Sequence, residues 1–191
     1  MQYVTNLGDS SVVLPVALLI LIWLFCLAGK RTALLWCCAL FVAGGGTAIL
    51  KIAIDACTAP VTGLNSPSGH TGMSTLVYGG LALVISAETT SWRRVVSSAA
   101  GVAIIAAVAL SRVVLGAHDI IEVIVGLLIG GAALALFAHG YVGADRRIWP
   151  LACTCAALAA ALAFFNHSVP LEPLWHRLGA ELREATGICW G

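Results

Sequence analysis

Apolar residues run along this chain in long unbroken stretches, not in alternation with polar ones. A helix that crosses a bilayer needs about 20 consecutive apolar residues, within a range of roughly 17–25. Six segments reach or approach that length: Val12–Gly29, Ala33–Ile54, Gly72–Ala87, Val95–Leu115, Ile120–Ala138 and Ile148–Phe165. The third is short and is expected to draw in residues from the loop before it. Strands of a membrane barrel would alternate with period two over about ten residues, and these runs do not. The expected fold is therefore all-α, a bundle of six membrane-spanning helices over residues 1–170. The stretch Pro170–Gly191 is too polar to span. Leu174, Trp175, Leu178 and Leu182 fall on one helical stripe there, with Arg177 and Glu184 turned away from it. That pattern predicts a C-terminal amphipathic helix lying at the membrane interface over residues 171–191.

Composition agrees with lipid as the main solvent. Of 191 residues, 60% are apolar and only 10% are charged, against about a quarter charged in soluble domains. Mean hydropathy is +0.99. A disordered chain, a nucleic-acid binder with a basic face and a soluble globular domain are excluded on these values. The formal net charge of +1 adds no argument for an acidic partner.

Charge does orient the spans. Lys30-Arg31 joins spans one and two, Arg93-Arg94 joins three and four, and Arg146-Arg147 joins five and six. With six spans these loops share one side, and basic loops mark the cytoplasmic side. Both termini are therefore expected outside, with Asp9, Asp55, Asp119, Glu172, Glu181 and Glu184. Small size and basic loops point to a bacterial inner membrane, with the opposite face periplasmic. No Lys or Arg precedes the first span, so it is expected to be a retained span and not a cleaved signal peptide.

The seven cysteines do not form a disulfide framework. Cys26, Cys37, Cys38, Cys153 and Cys155 lie in apolar runs and are expected as small buried hydrophobes, without the spacing of a zinc site. Cys57 and Cys189 fall outside the spans on the same outer side, where a disulfide between them would pin the tail over the loop after span two. The glycine pair Gly126 and Gly130 is read as a close-packing face within the bundle.

Ionisable residues inside spans are costly and point to function. Lys51 lies near the outer end of span two and Arg112 near the outer end of span four. His118 and Glu122 open span five, also on the outer side. The loop from Asp55 to His70 reaches the same face, so every unusual polar group converges on one membrane surface. In Ser66-Pro67-Ser68-Gly69-His70, Ser66 suits an N-cap and Pro67 a first helical position. A helix starting there would aim the N–H groups of Ser68, Gly69 and His70 at an anion. His118 and Glu122 are four apart and are expected to share a helix face. A carboxylate on one imidazole nitrogen makes the other nucleophilic. Arg112 offers a planar fork for phosphate oxygens and Lys51 a point charge. Together these residues describe phosphoryl transfer, with His118 attacking and His70 protonating the leaving oxygen.

With these residues in view, the sequence resembles the type 2 phosphatidic acid phosphatase superfamily, whose motifs are K-x6-R-P, P-S-G-H and S-R-x5-H-x3-D. The second motif is complete as Pro67-Ser68-Gly69-His70. The third is present as Ser111-Arg112-x5-His118, with Glu122 where the family usually has Asp. The first keeps Lys51, but Thr58-Ala59 stand where Arg-Pro is expected, with Pro60 one residue late. The resemblance covers Lys51–Glu122. It implies that Lys51, Ser68, Gly69 and Arg112 hold the phosphate. It also implies that His118 forms a phosphohistidine oriented by Glu122, and that His70 is the general acid. No metal or cofactor is implied. The expected substrate is a lipid phosphomonoester or diphosphate, among them prenyl diphosphates and phosphatidate-like lipids, drawn from the membrane lipids at headgroup level. Two alternatives belong to the same resemblance: a lipid phosphotransferase, and a degenerate member that binds or moves phospholipid, which the absent arginine of the first motif would favour. Arg177 and Arg183 of the tail are the outer-side candidates to replace that arginine.

Overall fold

In the computed structural model of the chain, residues 1–56, 66–89, 91–141 and 172–186 are described. The segment Ile148–Phe165, the pair Arg146-Arg147, the first-motif positions Thr58, Ala59 and Pro60, and both Cys57 and Cys189 lie outside them. The described elements are helices: α1 (Gln2–Asn6), α2 (Ser10–Leu27), α3 (Lys30–Leu40), a π-helical turn (Phe41–Gly45), α4 (Gly46–Ala56), α5 (Gly69–Glu88), α6 (Ser91–Val114), α7 (Ile120–Gly140) and α8 (Glu172–Thr186).

Four stretches among the described residues are long and apolar enough to cross a membrane: Gln2–Leu27, Lys30–Ile54, Ser91–Val114 and Ile120–Gly140. The chain is an integral membrane protein. The exposed surface supports this in physical terms. Along α2, Val12, Val13, Val16, Ala17, Ile20 and Trp23 are buried. Yet Leu14, Leu18, Ile22 and Phe25 on its opposite face are each at least 50% exposed. A helix in water would place polar residues there; a helix in lipid has no reason to. Cys26, Cys37 and Cys38 also stand on exposed faces as free thiols, which corrects the expectation that they are buried. In a bilayer, an outward face suits a small hydrophobe as well as a core does.

Helix α5 sits at the centre, packed most extensively against α6 and α7 and touching α2, α3 and α4. It starts at Gly69, so the short third segment does draw in residues from the preceding loop. Its inner positions Thr71 and Ser74 are fully buried and Thr75 is 8% exposed. A helix surrounded by other helices meets little lipid, so α5 can carry these hydroxyl side chains on its inner positions. Gly126 and Gly130 let α7 press onto α5: a Cβ at Gly126 would meet the Ser68 carbonyl oxygen at 2.5 Å, and one at Gly130 would meet the Gly72 carbonyl. The pair thus packs within the bundle. At the core, Trp36 is fully buried, donates from Nε1 to the Ala17 carbonyl at 3.0 Å, and meets Phe137 edge-on at 4.9 Å. That one side chain ties α2, α3 and α7 together.

The second predicted span is continuous from α3 into α4 but contains the π turn at Phe41–Gly45. Gly44, Gly45 and Gly46 have poor helix propensity, and the turn widens where they begin. Each residue inserted into a helix rotates the residues beyond it by about 100°. Beyond the turn, Thr47 donates to the Ala43 carbonyl, and Thr47 and Lys51 are 3% and 4% exposed on one inward face. Helix α8 packs against α4 with Gly179 buried, while Leu174, Leu178 and Leu182 stay 38–47% exposed. The leucine stripe therefore faces outward from the bundle.

Candidate active site

The helices alternate in direction, so α2, α5 and α7 begin, and α4 and α6 end, at one end of the bundle. Among the described residues, the candidate site residues Lys51, Ser68, Gly69, His70, Arg112, His118 and Glu122 are there. The turn between α6 and α7 is built first. Gly116 has a φ of +64°, a left-handed conformation that suits glycine. Around it the N–H groups of Ala117 and His118 donate to the Arg112 carbonyl at 3.0 and 3.3 Å. This closes α6 directly beneath His118. Helix α7 begins only at Ile120, with Asp119 as its N-cap. His118 therefore precedes the helix, and the expected shared helix face with Glu122 is corrected. Instead the Glu122 carboxylate folds back over the helix start. Its Oε2 lies 2.6 Å from His118 Nδ1 and accepts from the Asp119 N–H at 3.3 Å. A folded-back arm needs length, and Glu has one more methylene than Asp.

The other oxygen of Glu122, Oε1, accepts from the Ser66 N–H at 2.7 Å, and the Glu122 backbone carbonyl accepts from the Ser68 N–H at 3.1 Å. These bonds dock the segment before α5 onto α7. They also move the helix start. The N-cap is Ser68, not Ser66, with its hydroxyl accepting from the Thr71 N–H at 3.4 Å and 2.9 Å from the Thr71 hydroxyl. Ser66 and Pro67 are taken up in the approach instead. Gly69 and His70 thus form the first turn of α5, where N–H groups have no acceptor within the helix and the dipole favours an anion.

Arg112 is 8% exposed in the last turn of α6, and its Nη1 donates to Thr5 Oγ1 at 3.1 Å. Lys51 is buried on α4, one turn beyond Thr47, which lies against Gly72 of α5. Of the tail candidates, Arg177 is exposed on α8; the Arg183 side chain lies outside the described residues. The structure therefore gathers Ser68, Gly69, His70, Arg112, His118 and Glu122 into one linked cluster, with Lys51 at the same end.

Sequence reasoning missed the N-terminal segment. Thr5 binds Arg112, Tyr78 Oη donates to the Leu7 carbonyl at 2.6 Å, and Asp9 Oδ2 lies 3.7 Å from His70 Nε2. One signal was legible: Asp9 followed by Ser10 and Ser11 before an apolar run is an N-cap pattern. The long-range partners had no local signal.

Chemically, an imidazole whose Nδ1–H is held by a carboxylate carries its lone pair on Nε2. A buried histidine so oriented, beside a buried guanidinium and a helix N-terminus, suits attack on a phosphorus atom. A profile of the PAP2 superfamily, the type 2 phosphatidic acid phosphatase group, matches residues 47–147, more than half of the chain. The chain belongs to the PAP2 superfamily. This PAP2 protein is also 30% identical over 139 residues to an uncharacterized 22.5 kDa protein in the cps region of Klebsiella pneumoniae. The match covers 71% of this chain and 66% of that relative, just under two thirds of its length. No solved structure matches.

Proposed function

We propose that this protein hydrolyses a lipid phosphomonoester or diphosphate through a phosphohistidine on His118. The observation that carries the reading is the buried contact of 2.6 Å between His118 Nδ1 and Glu122 Oε2. Lys51, Ser68, Gly69 and Arg112 hold the phosphate oxygens. The His118 Nε2 lone pair attacks phosphorus, and the bond from phosphorus to the leaving oxygen breaks as the P–N bond forms. His70, as imidazolium, gives its proton to that oxygen. Water then attacks the phosphohistidine while neutral His70 takes a proton from it. Phosphate leaves, and both histidines return to their starting forms. The bundle is a six-span unit through residue 170, with the amphipathic tail over residues 171–191. The exposed Lys30, Arg31, Arg93 and Arg94 lie at the end opposite the site. By the positive-inside rule, that distribution supports a site on the periplasmic face of a bacterial inner membrane.

The test uses purified protein in detergent and a panel of lipid phosphates and diphosphates. Wild type is expected to release inorganic phosphate, and His118→Ala to release none. With labelled phosphate, an acid-labile, base-stable adduct should appear on wild type and be absent from His118→Ala. An adduct that discharges only onto an added lipid alcohol would make the protein a phosphotransferase instead. Neither phosphate nor adduct from any substrate would refute the reading.

A further inference from the structure

The N-terminal segment enters the site without belonging to any of the three motifs, and its construction is specific. Three independent holds fix it. Thr5 accepts from Arg112 at 3.1 Å; the Leu7 carbonyl accepts from Tyr78 at 2.6 Å; and Gly8 is buried against the site wall. A Cβ on Gly8 would meet Val108 at 2.8 Å, Ser74 Oγ at 3.0 Å and His70 Cβ at 3.2 Å. Only glycine lets the backbone run this close to His70. The next residue is Asp9, whose two oxygens have different tasks. Oδ1 accepts from the Ser11 N–H at 2.9 Å and from the Ser11 hydroxyl at 2.8 Å, which caps α2. With Oδ1 locked, the carboxylate plane is set, and Oδ2 is aimed at His70 Nε2 at 3.7 Å. The two side chains, His70 and Asp9, are only 23% and 16% exposed, so water screens the pair incompletely.

We propose that Asp9 is the positioning residue of His70: a carboxylate delivered by the N-terminal segment that orients the imidazole and stabilises its protonated form for donation to the leaving oxygen. This rests on the phosphatase reading above. In the first step the P–N bond to His118 forms, the P–O bond to the leaving group breaks, and the proton passes from His70 to that oxygen. Asp9 stays ionised throughout and takes no proton. The site then holds two carboxylate–imidazole pairs with opposite duties. Glu122 presents a lone pair on His118, and Asp9 presents a proton on His70.

Leaving-group chemistry separates this role from a structural one. A simple alkyl phosphate expels a basic alkoxide that must be protonated; p-nitrophenyl phosphate expels a stable phenolate that need not be. Asp9→Asn and Asp9→Ser remove the carboxylate and keep an N-cap-forming side chain, so α2 retains its start. The experiment compares dodecyl phosphate with p-nitrophenyl phosphate on purified full-length protein. Both variants should lose about tenfold in kcat on dodecyl phosphate and less than about twofold on p-nitrophenyl phosphate. Equal losses on both esters, or no loss on either, would overturn the role of Asp9 while wild-type turnover leaves the phosphatase reading standing. Wild-type protein that releases phosphate from neither ester, nor from any lipid phosphate or diphosphate of the panel above, would overturn both.

Discussion

At the site end of the bundle Lys51, Arg112, His118 and Glu122 are each no more than 8% exposed. At the opposite end Lys30, Arg31, Arg93 and Arg94 all stand exposed. Both ends carry cations, but the surroundings differ. Arg94 donates from Nε to the Ser86 carbonyl at 3.0 Å, and Arg93 stacks over Trp92 at 5.4 Å, both at the surface. A cation–π contact of this kind is worth about 0.5–1 kcal/mol at an exposed site, and what it offers is anchorage near lipid headgroups. The charges at the site end are removed from water and held by named partners: Glu122 on His118, Thr5 on Arg112. Burying an ionisable group without such partners costs several kcal/mol. The close approach of α7 to α5 at Gly126 and Gly130 lies at this end. Ionisable side chains are thus buried and partnered at one end and solvent-facing at the other.

The comparison can be broken most directly by His118→Ala, expected to lower phosphate release by at least about 10³-fold. A comparable loss from Arg94→Ala would erase the distinction between the two ends. Glu122→Gln keeps the shape but no longer holds the Nδ1 proton in the same way, and kcat should fall by about 10²-fold. Packing offers the next test. Gly130→Val pushes a side chain into the α5 backbone, whereas Gly131 has nothing within 4 Å of an added Cβ. The first should cost about 1–3 kcal/mol and lower the thermal midpoint in detergent; Gly131→Ala should leave it unchanged or raise it. Thr5→Val removes the acceptor from Arg112, and KM should rise about threefold to tenfold with kcat nearly kept, measured by steady-state phosphate release. The smallest effect is expected from Arg93→Ala with Arg94→Ala, less than about twofold in turnover. If these cations only orient the chain, topology reporters should respond where kinetics do not.

Much of this protein was open to reading in one dimension. Long apolar runs need no partner to be recognised, because lipid asks only for length and hydropathy. The motif residues His70, Arg112 and His118 carry their chemistry in their identity and spacing. Local signals were less exact at element boundaries. The N-cap lies at Ser68 because Glu122, 54 positions further along, takes the Ser66 and Ser68 N–H groups. His118 stands ahead of α7 because Gly116 closes α6 under it. The tertiary structure alone decided the rest. Thr5 meets Arg112 across 107 positions, and Leu7 meets Tyr78 across 71. Asp9 reaches His70 only after α2 has packed beside α5. Such contacts leave no periodicity in the chain, because they depend on how helices of similar hydropathy choose neighbours. That choice is made by shape, through glycines, a π turn and the buried Trp36, once lipid has made hydropathy uninformative.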